Sequence, residues 1–272
     1  MKKRLTSLPL AAMTGIFLVA SSQAAITVVD TDFAATAANS GPGDFALSAQ
    51  GPGTRDGIYT YSYNAGAAFD MLVVGVAREA SGPGANVGGA VFSVTYGGVA
   101  MNFLSGAGSA DASGSSIFYL ATNSASGDIA LDFTGYATVN GIGIGIMAIN
   151  SSTGDVFITD QDTAASSVTL NRVAGDVAFF MGDANSTLGT PTVDSPLTSV
   201  NGGSFPADIG SNQAGSGYEE VTSDGSQVYT WSPNSDARSA SGAVFSSVPE
   251  PSSVALFGLG LTAVCLVRRR RA

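Results

Sequence analysis

The sequence predicts an all-β body, a mostly antiparallel two-layer β-sandwich of jelly-roll or immunoglobulin-like type. A signal helix precedes it and a transmembrane helix follows it. Three observations lead there. Short runs rich in β-branched and aromatic residues recur between Gly, Asn, Asp and Ser clusters, as strands and turns do. The 35 Gly and 10 Pro of the 272 residues interrupt almost every window long enough for a helix. The bases are segregated: Lys2, Lys3 and Arg4 open the chain, Arg268, Arg269, Arg270 and Arg271 close it, and each group lies beside an apolar run.

Residues 1–24 read as a secretory signal peptide. The basic start is followed by an apolar stretch, Leu8 to Ala20. Ser22 and Ala24 place small residues at −3 and −1, so signal peptidase is expected to cut between Ala24 and Ala25.

The body, residues 25–247, opens with the β-rich runs AITVVDTD and IYTYSY. Asp70 to Ala77 is almost continuously apolar, which predicts a central strand buried on both faces. Gly97-Gly98 joins VFSVTY to VAMNFL, and a two-residue Gly-Gly link predicts a tight hairpin, because primed turns need positive φ. SIFYL, DIALDF, IGIGIMAIN, DVAFFM, QVYTW and ASGAVF continue the series. Asn201 to Gly217 looks like the longest unstructured stretch and is expected to be an exposed loop.

Residues 248–272 hold three parts in order: Pro249-Glu250-Pro251, an apolar run from Ser252 to Val267, and the four arginines. Apolar residues favour the bilayer, whereas each Arg costs about 2.5–3.5 kcal/mol at its centre. The arginines therefore act as a cytoplasmic stop. The run is 16 residues, short of the roughly 20 of a permanent span, and suits transient anchoring in the inner membrane. The two prolines keep the preceding segment extended and open to a processing enzyme.

This order of parts resembles the PEP-CTERM sorting signal. The resemblance implies recognition of Pro249, Glu250 and Pro251 by an exosortase, a membrane-embedded, cysteine-protease-like enzyme. It further implies tail removal and delivery to the cell surface or extracellular matrix of a Gram-negative bacterium that makes exopolysaccharide. A plain anchor with a Pro-Glu-Pro linker is the alternative. The body, from MLVVGVA through SVTYGG, SIFYL and GDIALDF to YTWSPNSDARSASGAVF, is similar to a recurrent β-sandwich module of secreted bacterial proteins. That likeness implies a fold and an extracellular setting, and no catalytic residues.

Composition excludes several functions. With no His there is no Ser-His-Asp or Cys-His catalysis and no His-bound metal. The single Cys, Cys265, lies in the tail's apolar run, so intrachain disulfides and CxxC chemistry are excluded. Between Ala25 and Val248 the net charge is −16, with no lysine, which argues against nucleic acid as a partner. Catalysis and a cofactor are not expected.

Four candidate sites remain. Gly141 to Gly145 has no following helix and reads as a strand approached closely by another backbone, not a phosphate loop. Asp160 and Asp162, like Asp30 and Asp32, fit weak loop-borne Ca2+ binding, or plain polar turns. Trp231 and Tyr229, on one face of a strand, fit contact with exopolysaccharide, or core packing. Adjacent Glu219 and Glu220 point to opposite faces and make a poor hydrolytic dyad. The functional reading is a secreted structural or matrix protein; a carbohydrate-binding module and a secreted hydrolase are the alternatives.

Overall fold

The computed structural model describes residues 25–37, 46–47, 57–81, 92–108, 113–134, 138–164, 166–185, 192–193, 196–200, 207–209, 212–232 and 237–247. The expected signal peptide, residues 1–24, and the tail, residues 248–272, lie outside them. Nineteen strands and no helix occur among the described residues.

In chain order the strands are β1 (Ile26–Ala37), β2 (Ala46–Leu47), β3 (Ile58–Asn64), β4 (Met71–Ser81), β5 (Ser93–Tyr96), β6 (Val99–Ala100), β7 (Asn102–Gly108), β8 (Ser113–Ala121), β9 (Ser126–Asp132) and β10 (Thr138–Ser151). Then follow β11 (Val156–Ala164), β12 (Ser167–Arg172), β13 (Val177–Asn185), β14 (Thr192–Val193), β15 (Thr198–Ser199), β16 (Ala207–Ile209), β17 (Asn212–Glu220), β18 (Gly225–Ser232) and β19 (Ala237–Ser247). The Gly-Gly hairpin forms as expected: Gly97 and Gly98 take φ of 56° and 81°, and Tyr96 faces Val99 across the turn.

All pairings are antiparallel, and they build four sheets. The first outer sheet runs β2-β3-β9-β5-β6 and the first inner sheet β1-β10-β4-β8-β7. The second inner sheet runs β11-β19-β13-β17-β15, with β16 also on β17, and the second outer sheet β12-β18-β14. Three apolar cores separate them. Leu72, Val74 and Ile144 meet Tyr59, Val94 and Leu131 between the first outer and inner sheets. Met71, Val73 and Met147 meet Phe179, Met181 and Phe245 between the two inner sheets. Phe180 and Val244 meet Leu170 and Tyr229 between the second inner and outer sheets. The sandwich is thus extended from two layers to four, in two consecutive sandwiches. β4 shows why: from Met71 to Ala77 its side chains alternate between two different cores, so both faces of that stretch are apolar.

The two sandwiches share one topology. The inner orders β1-β10-β4-β8-β7 and β11-β19-β13-β17-β15 match strand for strand, as do β3-β9-β5 and β12-β18-β14. In the first sandwich the chain leaves the outer sheet after β6 and enters the inner sheet at β7, the crossing of a jelly roll. The opening strands also match in detail. β1 shifts register between Val28 and Asp30, and β11 between Ile158 and Asp160. Each bulge is followed by an Asp-x-Asp pair.

The inner sheets meet at a pair of glycines. Gly75 of β4 lies opposite Gly145 of β10. A Cβ on Gly75 would sit 2.8 Å from the Met181 Cβ, and one on Gly145 2.2 Å from the Ser216 Cβ. Nearby, Ser115 and Ser241 share a buried hydrogen bond of 2.9 Å across the same interface. This corrects the expected loop at Asn201 to Gly217. Its last part, from Asn212, is β17, whose small residues allow it to lie against the first inner sheet. Small residues resemble loop composition, but here they reflect close approach.

Gly145→Ala is expected to cost about 1–3 kcal/mol by overpacking, read as a lower urea midpoint. Ser216→Gly in the same chain should recover part of that loss; simple additivity would show that the two sites do not touch.

Candidate functional site

The residues expected from the sequence to carry the sorting chemistry, Ala24, Pro249, Glu250, Pro251 and Arg268 to Arg271, lie outside the described residues. The structure does show where the chain enters and leaves the body. Ala25 is exposed, and β1 begins at the next residue. The Ile26 N–H donates to the Gly175 carbonyl at 3.1 Å. At the other terminus, the Ser246 hydroxyl donates to Asp176 Oδ1 at 2.5 Å. The second Asp176 oxygen accepts the Val173 N–H at 2.8 Å. Asp176 is only 3% exposed, so this carboxylate belongs to the fold and not to solvent. Both ends of the body are therefore fastened to neighbouring residues of one turn, Val173 to Asp176.

The rest of that end is knitted by backbone bonds. Gly175 N–H donates to Val221 O at 2.9 Å, Val221 N–H to Asp176 O at 2.9 Å, and Thr122 N–H to Asp70 O at 3.0 Å. The last two bonds occupy equivalent places in the two sandwiches. The exposed side chains here include Asp155, Glu220 and Asp224. Arg172, also at this end, pairs with Glu219.

The Asp-x-Asp pairs do the same job in both sandwiches. Asp30 Oδ2 accepts the Tyr63 hydroxyl at 3.0 Å, and Asp32 accepts that of Tyr61. Asp160 Oδ2 accepts the Asn171 N–H at 2.6 Å, and Asp162 Oδ2 the Thr169 N–H at 2.8 Å. Each pair ties the edge strand of an inner sheet, β1 or β11, to an outer-sheet strand of its sandwich, β3 or β12. β12 is an edge strand, so Asp160 and Asp162 satisfy main-chain donors that no neighbouring strand reaches. The bulge supplies the bend that turns the carboxylates toward it. For the expected calcium role, the relevant fact is that both carboxylates already hold N–H donors. Among the described residues no group of three or more acids, Cys or His converges on one point.

The glycan reading of Tyr229 needs correction. Tyr229 is 1% exposed, in the core under the second outer sheet, where its hydroxyl donates to Glu219 Oε2 at 2.6 Å. A sugar cannot reach a ring enclosed in this way. Trp231 lies in β18 opposite Val193, and its side chain is outside the description. Glu219 and Glu220 do diverge: Glu219 is 9% exposed beneath the sheet and Glu220 is exposed. A cleft of about 330 Å³ runs between Phe103–Gly106 and Gln161–Thr163, and holds one carboxylate, Asp162. A second depression of about 300 Å³ holds only Asp128. Glycoside hydrolysis requires two carboxyl groups about 5–10 Å apart.

Burial pushes the Tyr63 and Tyr229 hydroxyls well above their ordinary value, and the adjoining Asp30 and Glu219 carboxylates add to the rise.

Comparison with known proteins adds one positive result. Residues 247–271 match the PEP-CTERM protein-sorting motif. No curated protein matches the chain. A crystal structure of the plant receptor-like kinase FER aligns at 10% identity over 85% of this chain and 90% of that one. The TM-score of 0.20 is too low for any inference about fold.

Two outcomes follow from this geometry. Asp162→Ala should lower stability by about 1–3 kcal/mol, equally with calcium or with chelator. A melting temperature that calcium raises in the wild type alone would assign the pair to the metal. The tyrosines set an alkaline limit. Because the folded state holds their protons above the ordinary value of 10, stability is complete below that pH and falls as pH rises past it. In a tyrosinate absorbance titration, Tyr63 and Tyr229 should ionise only as the body unfolds; ionisation near 10 with the fold intact would contradict this.

Proposed function

We propose that this chain, an exported, membrane-passing precursor bearing a PEP-CTERM sorting motif, matures into a non-enzymatic structural protein of the cell surface or extracellular matrix. The motif at residues 247–271 carries the reading, since it implies recognition by exosortase. Signal peptidase frees Ala25. The tail then holds the body outside the inner membrane, and exosortase acts at Pro249 to Pro251 and passes the body on to the surface or the exopolysaccharide.

The structural role is supported by how the body uses its polar groups. Asp30, Asp32, Asp160, Asp162, Asp176 and Glu219 each accept a donor from another strand or turn. Groups committed in this way stabilise a scaffold. The body's net charge of −16 and its lack of lysine suit a soluble extracellular body and disfavour anionic partners.

Replacing Pro249, Glu250 and Pro251 by alanine should leave an unprocessed, membrane-held precursor, seen as retained tail mass and loss of surface material. Normal processing and release would overturn the sorting reading.

A further inference from the structure

We propose that the end of the body built around the turn Val173 to Asp176 is a docking face for the exosortase. The inference rests on the sorting reading above and adds a second recognition surface to it.

The first ground is chain length. β19 is an interior strand, paired with β11 on one side and β13 on the other. Its last residue, Ser247, is 4% exposed and pairs with Val156. Only Val248 separates Ser247 from Pro249. An extended chain spans at most about 3.5 Å per residue. An enzyme gripping Pro249 to Pro251 is therefore within roughly 14 Å of Ser247. That is little more than the spacing of one pair of packed sheets, about 10 Å. The enzyme cannot hold the motif without meeting the folded end.

The second ground is that this end is built to stay folded under a pull from the tail. The Asp176 carboxylate grips Ser246 directly, one residue before the strand ends. The same carboxylate is held by Val173, and the turn is bonded in its turn to Val221 and to Asp224. Fraying β19 to lengthen the tether would break these bonds as well as the strand pairing.

The third ground is chemistry. The face presents exposed Asp155, Glu220 and Asp224 among Ser152, Thr222 and Ser223. The arginine nearby is neutralised by Glu219. A polar, acidic surface disfavours burial in the bilayer and fits a cationic, water-facing surface on the enzyme.

The test combines charge reversal with a spacer, in cells that process the wild type. Asp155→Lys with Glu220→Lys should slow tail removal about ten-fold or more at the native junction. The same pair, with ten Gly and Ser residues inserted between Ser247 and Val248, should be processed at close to the wild-type rate, because the body no longer has to abut the enzyme. Unchanged processing at the native junction would overturn the proposal. So would a defect that the spacer leaves in place, or a lowered melting temperature of the purified variant body accounting for the loss. Flotation of the purified body with vesicles of phosphatidylethanolamine and phosphatidylglycerol provides a further check. Binding that the two substitutions alter would assign the face to lipid headgroups instead. The Pro-Glu-Pro alanine variant separates the two readings: if its processing is lost while charge reversal is silent, sorting stands and docking falls.

Discussion

The close approach of the two inner sheets is the constraint from which the architecture follows. Gly75 and Gly145 face each other in adjacent strands and leave no side chain between their backbones and Met181, Phe179 and Ser216. This contact lets two sandwiches share a dry interface, so that a single chain with one topology used twice becomes four layers with three cores. Burial on both faces in turn makes β4, β10, β13 and β19 mainly apolar, with Arg78, Asp183 and Ser241 as buried exceptions. Within the interface, Ser115 and Ser241 satisfy each other, and the Ser216 hydroxyl donates to the Phe180 carbonyl. With no cysteine in the body, cohesion has to come from this burial and from side-chain clasps at the sheet edges.

Much of this was legible in the amino-acid pattern. The Gly97-Gly98 hairpin was specific because the turn chemistry is local. The unbroken apolar run at Asp70 to Ala77 correctly signalled a strand covered on both faces. That same signal was already at odds with two layers, in which each sheet has a wet side. What hid the extra layers is that repeated topology leaves little trace in sequence. Core positions accept any apolar residue of suitable size, so Leu72 and Phe180 can serve the same purpose without resembling each other. The surviving trace was the Asp-x-Asp pair after the opening bulge. Read as possible ligands, Asp30, Asp32, Asp160 and Asp162 looked like surface turns, because the donors they meet lie on a different strand. β17 was missed for a related reason: a strand of Gly, Ala and Ser packed against another backbone has the composition of a loop.

The two sandwiches apply the same clasp with different donors. Tyrosine hydroxyls answer the carboxylates in the first, main-chain N–H groups in the second. The geometry of the opening inner strand against its outer-sheet partner is thus kept while the residues change, which is how a structural requirement differs from a catalytic one. A reacting centre needs particular atoms, whereas a clasp needs only a donor of suitable reach. Asp30, Asp32, Asp160 and Asp162 follow the second pattern.

β19 also determines how the mature body would carry mechanical load. A protein joined to a surface through its C-terminus is pulled along its last strand. Here that strand runs between β11 and β13, antiparallel to both. Force along it loads both ladders in shear, so their bonds must yield together, whereas a terminal edge strand peeled sideways would give way one bond at a time. The start of β1, where the Ile26 N–H bonds Gly175, sits at the same end and carries none of that tension. Drag from flow or from neighbouring polymer would therefore enter through the middle of a sheet, between two of the three cores.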